Sequence, residues 1–367
     1  MLIDEKDLLL EIYIRGMSVA GENNFYVDLK NTKLKRYKRF DFYFNGFRYS
    51  TYMEEKEKTP FYYDDGKLYY YSKLLNNINI KRIQTVEWGS EQSWYIKTWN
   101  SIEDKPYELR LNPINTCSNL RYSTGENGEF KGCAFCHRVY THGRYAEKRK
   151  IKAINEIFDE IFEQEGKGII KKIRKTLIMT GNMNEPSELL ALCCEAYNIL
   201  LSEEYTGVFS ISTNQICDEC DIKDLAAMDN TIFDYTLEMF ERRKCLMGEK
   251  KGYDMNQVVQ TLKTARQYFK NIRITYVVGL DRITVLKEGL LMLKKMSLID
   301  DLIPLIFVPY TPEMKKLRNE EAMYIEYYKE VREFLEKNDL VPKKNGLSKN
   351  LFLEDKLHND KMDILLE

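Results

Sequence analysis

The hydrophobic pattern of the chain changes character near residue 105. Before that point, short runs such as residues 39–44 are rich in Phe and Tyr, which favour β-strands. Residues 64–66 (Asp-Asp-Gly) have the sequence of a tight hairpin turn, and residues 80–88 and 93–99 are expected to form a second hairpin. The pattern predicts a small β-rich, aromatic-rich N-terminal domain at residues 1–105. Its aromatic side chains are expected mainly in the core and on the sheet surface; docking part of a substrate is the alternative use.

From residue 106 onward, apolar runs of strand length alternate with segments whose apolar residues repeat at helical spacing. Such strand–helix units predict an α/β fold with a parallel sheet wound right-handedly, over residues 106–312. A charged amphipathic helix at residues 320–337 and a polar tail make up a C-terminal extension, residues 313–367. The six candidate strands are residues 108–112, 176–180, 207–213, 232–238, 272–278 and 303–308.

Composition narrows the functional classes. Charged residues make up 31 % of the 367 residues and balance to a net charge of −1, so no overall field favours nucleic acid or an anionic membrane. No apolar run has the length of a membrane span, and the first residues lack the basic start and apolar core of a signal peptide. Together with eight cysteines, this predicts a cytoplasmic protein whose thiols are free or bind a metal, rather than form disulfides.

Three of the cysteines lie on one stretch that follows the first candidate strand of the α/β region. Fifteen residues separate Cys117 from Cys133, and two separate Cys133 from Cys136. Three thiols on a loop at the carboxyl end of a strand can bind zinc, with His137 or His142 as the fourth ligand. They can equally bind a four-iron, four-sulfur cluster that leaves one iron open to a substrate or cofactor. The stretch by itself leaves both alternatives open.

Phe135, directly before the last cysteine in Gly-Cys-Ala-Phe-Cys (residues 132–136), gives this stretch a resemblance to radical S-adenosylmethionine (SAM) enzymes. Their usual motif is Cys-x3-Cys-x2-Cys with an aromatic residue before the third cysteine. This chain has the second half of that motif and an expanded first gap, Cys-x15-Cys-x2-Cys. The insert at residues 123–130 is polar and Gly-rich, and such a segment loops out without moving the thiols that flank it.

The resemblance implies a fold, two cofactors and a partner. The fold would be the partial (β/α)6 barrel of the radical SAM core, and the metal ligands of a [4Fe-4S] cluster would be Cys117, Cys133 and Cys136. An electron from a reduced flavodoxin or ferredoxin would cleave SAM to a 5′-deoxyadenosyl radical, which abstracts hydrogen from the substrate. The SAM contacts that the resemblance implies come from the cysteine loop and from polar or Gly-containing strand ends: Phe135, Gly181, Asn182, Glu185, Ser212, Asn214, Glu238, Arg242 and Val308.

The sequence allows alternatives for one SAM contact, for the other cysteines, for the substrate and for the function. Arg243 is an alternative to Arg242 as partner of the methionine carboxylate of SAM. The remaining cysteines are interpreted as free thiols rather than as ligands of a second cluster. A small metabolite is the first choice of substrate, a peptide that docks on the N-terminal domain is the second, and an RNA base is the third. The function from another class is a zinc-stabilised Cys3His binding protein without redox chemistry.

Overall fold

The computed structural model describes residues 5–28, 35–44, 47–75, 80–83, 93–98, 106–114, 117, 132–136, 152–248 and 254–341. Its contacts divide the chain into two compact units. The first comprises residues 1–88, 277–287 and 303–367, and the second comprises residues 89–276 and 288–302. The predicted domain boundaries after residues 105 and 312 remain a proposal.

The N-terminal part is rich in short strands, as its aromatic composition predicts. These strands form three sheets, with the orders β1-β6-β7-β8, β2-β3 and β5-β4-β9. The elements are α1 (Glu5–Arg15), β1 (Ser18–Val19), β2 (Tyr26–Asp28), β3 (Lys35–Tyr37), β4 (Arg39–Phe44), β5 (Phe47–Tyr52), a 3-10 turn (Lys56–Lys58), β6 (Phe61–Asp64), β7 (Lys67–Tyr70), β8 (Lys73–Leu74) and β9 (Ile80–Ile83).

The predicted hairpin turn at residues 64–66 is confirmed. Asp64 pairs with Lys67, and the two residues between them, Asp65 and Gly66, both have positive φ (40° and 82°). This backbone conformation matches the twist of the flanking strands, and it explains why Asp-Gly stands there.

The second predicted hairpin is wrong. β9 pairs with β4, whereas β10 (Trp94–Thr98) pairs with β11 (Pro106–Leu111) in another sheet. β-Branched residues in both strands, and aromatic residues in β10, favour strand structure, but the partners of the two strands are set by contacts elsewhere in the fold. Residues 84–92, which contain the expected turn, lie outside the described residues.

Helix α1 was not expected in the β-rich part. Its side chains from Leu8 to Leu10 and from Ile12 to Ile14 are buried, so the helix is apolar on most of its circumference. Such a helix has no clear amphipathic period, because it is covered on more than one side. It packs against β5 and against the last helix of the same unit, α9 (Ile325–Lys337).

The α/β part contains one seven-stranded sheet in the order β10 to β16. β10 runs antiparallel to β11, and the six strands from β11 onward form a parallel half-barrel. The predicted partial α/β barrel is therefore confirmed. The remaining elements are α2 (Ile154–Glu165), a 3-10 turn (Lys167–Lys172), β12 (Lys175–Met179), α3 (Pro186–Ser202), β13 (Val208–Thr213), α4 (Glu219–Ala226), β14 (Thr231–Glu238), α5 (Arg243–Leu246), α6 (Met255–Tyr268), β15 (Ile272–Val278), α7 (Ile283–Lys295), β16 (Asp301–Ile306), α8 (Pro312–Lys315) and a 3-10 turn (Glu321–Met323).

The helices of the α/β part begin where local chemistry allows it. Pro186 occupies the first turn of α3, where its missing N–H has no intrahelical partner to lose. The carboxylates of Asp218 and Asp254 accept hydrogen bonds from backbone amides in the first turns of α4 and α6. These caps satisfy amides that would otherwise lack acceptors, and they fix where each strand-to-helix loop ends.

The predicted C-terminal helix at residues 320–337 is present but interrupted. Tyr324 has an extended backbone (φ −116°, ψ 144°) and separates the 3-10 turn Glu321–Met323 from α9. The apolar face of α9 is buried through Tyr327, Tyr328, Val331 and Leu335. Within the described parts of the chain, no helix combines the length and apolar character needed to cross a membrane. The polar tail from residue 342 lies outside the described residues.

Candidate functional site

The two faces of the parallel sheet differ in chemistry. The register aligns Glu108 with Lys175, and Ser212 with Asp234 and then with Arg273. Because side chains alternate along a strand, these residues share one face. The opposite face contains apolar residues that contact the helices: the rings of Tyr197 and Phe209 lie 5.5 Å apart, and those of Phe233 and Phe269 lie 5.3 Å apart. The polar face is therefore the one turned away from the helices, inside the half-barrel.

Charged residues on the polar face pair with one another near the amino ends of the strands. Arg110 donates to Glu108, and the ammonium of Lys175 lies 3.5 Å from the same carboxylate. Arg273 donates two hydrogen bonds to Asp301, of 2.7 and 3.1 Å. Burial lowers the pKa of Lys175, and the carboxylate of Glu108 opposes that shift. Because charged groups at this end of a barrel serve stability rather than reaction chemistry, we assign these pairs a structural role.

Asp234 lies on the same face, in register with Arg273 of the next strand, and is 2 % exposed. Thr275 donates a hydrogen bond of 3.0 Å to its carboxylate. Burial raises the pKa of Asp234 to about 6, against the opposing effect of the cations Arg273 and Lys175. The sheet interior therefore holds a carboxylate that changes charge close to neutral pH.

Cys117 lies beside the loop that follows β12. The backbone N–H of Asn182 donates a hydrogen bond of 3.1 Å to the sulfur of Cys117. Asn182 itself is 8 % exposed. The first cysteine is thus in contact with the loop that the sequence predicted to bind the amino group of SAM.

Cys133 and Cys136 lie on a tight turn that contacts a different loop. The N–H of Cys136 donates to the carbonyl oxygen of Cys133 (3.0 Å), and the N–H of Ala134 donates to the carbonyl oxygen of Leu246 at the end of α5 (2.8 Å). The thiol of Cys133 donates to the carbonyl oxygen of Met247 (3.5 Å). This turn therefore lies against the segment that follows β14. Because β12 and β14 are parallel, both cysteine segments are at the same edge of the sheet.

The cysteines themselves are at one edge but do not form one metal-binding group. Among the residues that the structure describes, which include Cys117, Cys133 and Cys136, no three His, Cys, Asp or Glu side chains are close enough together to hold a metal ion. The chemistry of the donors suits a cluster, since three thiols and a backbone amide that donates to sulfur lie at the same edge. His137, His142 and the insert at residues 123–130 lie outside the described residues.

Asn214 is the polar side chain at this edge with the clearest unmet hydrogen-bonding capacity. It follows β13 and is 1 % exposed, and neither its amide oxygen nor its amide nitrogen has a hydrogen-bond partner. Buried amides without partners cost folding free energy, so they are rare unless a ligand or water satisfies them. Both donor and acceptor capacity are thus available here to a polar ligand.

The last residue of β14 and the loop after it have unusual backbone geometry. Glu238 has φ of 69° and Arg242 has φ of 58°, both in the left-handed region that non-glycine residues seldom adopt. Such strain is common at ligand-binding sites. Both side chains are partly exposed, and a register irregularity separates Thr236 from Glu238.

Arg243, the sequence-based alternative to Arg242, has a structural task. It is 7 % exposed, and one of its nitrogens donates to the carbonyl oxygens of Leu237 and Met239, each over 2.7 Å. It therefore holds the backbone on both sides of Glu238. The sequence alone does not show which of these adjacent arginines has the structural role. That depends on which of them reaches the carbonyl oxygens of Leu237 and Met239, and the loop conformation decides this.

The other predicted SAM contacts occupy varied environments. Gly181 and Ser212 are half-buried, and Glu185 is exposed at the residue before α3. Phe135 is half-buried on the cysteine turn. Val308 follows β16, is 7 % exposed and belongs to the first unit, whereas the others belong to the second.

The remaining cysteines do not assemble into a second metal site within the described part of the chain. Cys193 is buried and burial raises its pKa well above the usual value, while Cys220 and Cys245 are exposed. The thiol of Cys217 donates to the carbonyl oxygen of Asn214 over 3.3 Å.

The class that the fold defines is a parallel α/β half-barrel with cysteine loops at its carboxyl edge. No protein-family model matches the chain, and no curated protein matches it significantly. The solved structures that it resembles include radical SAM enzymes.

Three of these structures illustrate the likeness. SuiB from Streptococcus suis, bound to S-adenosylmethionine, matches with a TM-score of 0.45 and 16 % identity, over 64 % of this chain and 48 % of its own. Methylornithine synthase (PylB) matches with a TM-score of 0.44 and 16 % identity, over 65 % of this chain and 64 % of its own. Coproporphyrinogen III oxidase (HemN) from Escherichia coli, a radical SAM enzyme, matches with a TM-score of 0.39 and 14 % identity, over 57 % of this chain and 50 % of its own. The chain thus spans about half the length of SuiB, and likeness at this level assigns no activity or substrate.

Proposed function

We propose that the chain is a radical SAM enzyme whose [4Fe-4S] cluster is bound by Cys117, Cys133 and Cys136. The observation that carries this proposal is the position of the two cysteine segments. One accepts a hydrogen bond from the loop after β12 and the other donates to the segment after β14, so both lie at the carboxyl edge of a parallel half-barrel. Sites at this edge are where barrel enzymes carry out their chemistry.

The cofactors supply the chemistry and the chain supplies the binding groups. With an electron from a reduced flavodoxin or ferredoxin, the cluster would cleave SAM reductively to a 5′-deoxyadenosyl radical that abstracts hydrogen from the substrate. Glu185 would accept a hydrogen bond from the ammonium group of SAM, and the unpartnered amide of Asn214 would bind its polar part. Glu238 and Arg242, held on the strained loop after β14, would bind the ribose and the carboxylate. The remaining proposed contacts in the second unit are Phe135, Gly181, Asn182 and Ser212.

The substrate is proposed as a small molecule, with a peptide as the second candidate. The balanced net charge of −1 argues for neither a polyanion nor a polycation. A solved structure of SuiB has its precursor peptide SuiA bound, which is the reason to include peptides in any substrate trial. We propose a cytoplasmic location for this chemistry.

Metal analysis of anaerobically purified and reconstituted protein tests the proposal. We expect a brown protein with about four iron and about four sulfide per chain, as one [4Fe-4S] cluster requires. The control variant is Cys220→Ala, which changes an exposed cysteine outside the proposed ligand set and should therefore contain as much iron and sulfide as wild type. A colourless protein with about one zinc per chain would instead support the Cys3His binding protein.

A further inference from the structure

Gln215 joins the two polar loops at the carboxyl edge. The N–H of Met183 donates to Gln215 Oε1 over 2.6 Å, and Gln215 Nε2 donates to the carbonyl oxygen of Met183 over 2.9 Å. This pair uses both functions of the side-chain amide, one as acceptor and one as donor. The two residues are 2 % and 7 % exposed, so water does not replace either bond.

The side chain of Gln215 starts from a fixed backbone. Its own N–H donates to the hydroxyl of Thr213, the last residue of β13, over 3.0 Å. Thr213 is 6 % exposed and pairs in register with Tyr235 of the next strand. The amide of Gln215 is therefore tied to the sheet, and through it the peptide of Met183 is tied as well.

The peptide that Gln215 holds is adjacent to the one that contacts Cys117. Asn182 donates its backbone N–H to the sulfur of Cys117, and the next N–H along the chain is the one bound by Gln215. Fixing the Met183 peptide on both sides limits rotation of the backbone at Asn182. The direction of the Asn182 N–H towards sulfur thus depends on a side chain from the neighbouring loop.

We propose that Gln215 is a positioning residue that holds the Asn182 amide against the sulfur of Cys117 and thereby tunes the bound cluster. The part of this inference that concerns the cluster rests on the proposed function. Hydrogen bonds to cysteine sulfur favour the more negative, reduced form of an iron–sulfur centre, and so raise its reduction potential. Gln215 touches neither the sulfur nor the substrate, so its effect is indirect.

The test compares wild type with Gln215→Ala, Gln215→Glu and a matched control, Gln260→Ala, on the exposed side of α6. The first readout needs no metal: hydrogen exchange of the Met183 amide in the apo protein, followed by mass spectrometry. Loss of the hydrogen bond should speed this exchange about fivefold or more in Gln215→Ala. Gln215→Glu has the same size and keeps an oxygen that can accept from the Met183 N–H, so its exchange should stay closer to that of wild type than in Gln215→Ala.

The second readout is the reduction potential of the reconstituted cluster together with its electron paramagnetic resonance spectrum. Both Gln215 variants should shift the potential to more negative values, while Gln260→Ala keeps the wild-type value. Exchange of the Met183 amide at the wild-type rate in Gln215→Ala overturns the amide clamp. Faster exchange with an unchanged potential overturns the link to Cys117. Wild-type protein that takes up no cluster overturns the proposed function and the tuning, whereas the exchange data still decide the clamp.

Discussion

The guanidinium group of Arg243 donates a hydrogen bond to the carbonyl oxygen of Leu237 over 2.7 Å, and the same nitrogen also reaches the carbonyl oxygen of Met239. Both acceptors flank Glu238, whose backbone is in the left-handed region. The carbonyl oxygen of Leu237 also accepts a hydrogen bond from the N–H of Met239 over 2.9 Å, so the guanidinium group is a second donor to it. Arg243 therefore belongs to the support of the loop, which leaves Arg242 as the candidate ligand-binding arginine.

Replacing Arg243 should destabilise the protein. In Arg243→Met the two carbonyl oxygens lose a charged donor in a buried environment, which we expect to lower the free energy of unfolding by about 2 kcal/mol. Urea unfolding of the apo protein measures the change. Lys244→Met, at the next and exposed position, serves as the control. A stability of Arg243→Met within about 0.5 kcal/mol of wild type, as for an ordinary surface change, would contradict the structural role.

The side-chain amide of Asn214 should lower the stability of the ligand-free protein and contribute to SAM binding. Because both atoms of its amide are buried without partners, Asn214→Leu removes an unsatisfied polar group and is expected to raise the stability of the ligand-free protein by about 1 kcal/mol. The same change should remove the increase in melting temperature that SAM produces in wild type. Thermal unfolding with and without SAM gives both numbers. A variant that is less stable, yet is still stabilised by SAM, would show that Asn214 packs rather than binds.

Glu238 should matter for SAM rather than for folding. The strained backbone is retained in Glu238→Gln, so stability should stay close to that of wild type. Loss of one charged acceptor should weaken SAM binding about tenfold. Glu165→Gln, at an exposed position near the end of α2, is the matched control. Equal SAM affinity and turnover in Glu238→Gln and wild type would remove Glu238 from the site.

Asp234 should give the stability of the protein a specific pH dependence. Burial raises its pKa from 3.8 to about 6, so between these values the folded protein binds more protons at this carboxylate than the unfolded chain does. Its contribution is therefore most favourable at low pH and is lost as the pH rises through about 6. Relative to Asp234→Asn, which cannot titrate, wild type should lose about 2 kcal/mol of unfolding free energy between roughly pH 4 and pH 7.

Urea unfolding at several pH values measures this difference, and Asp224→Asn at an exposed position provides the control. Parallel pH profiles for wild type and Asp234→Asn would rule out the shift. Because effects common to the two proteins cancel, the comparison isolates the one carboxylate.

Local sequence patterns predicted most of the α/β part of the fold. Strand β15 was predicted with its observed bounds, Ile272–Val278, because nearly every residue in it is β-branched or aromatic, as strands favour. Pro186 and the apolar period of α2 located helices in the same way. These signals depend on neighbours within a few residues of one another, so a single sequence contains them.

What the sequence could not supply depends on residues far apart in the chain. The pairing of β9 with β4 and of β10 with β11 is a choice among partners of similar composition. Gln215 meets Met183 across 32 positions, and a Gln after a polar strand end gives no sign of its partner. The predicted cysteine ligands depended on a resemblance in motif, because spacing alone allows zinc and an iron–sulfur cluster equally.

The central claim is that Cys117, Cys133 and Cys136 bind the cluster. It is tested most directly by measuring reductive SAM cleavage in a variant in which one of these cysteines is replaced. Cys133→Ala and the control Cys245→Ala would be reconstituted anaerobically, supplied with SAM and a strong reductant, and assayed for 5′-deoxyadenosine. The account predicts that Cys133→Ala remains folded but forms no 5′-deoxyadenosine, while Cys245→Ala forms it at the wild-type rate. Formation of 5′-deoxyadenosine by Cys133→Ala at the rate of wild type would contradict the assignment of the cysteines.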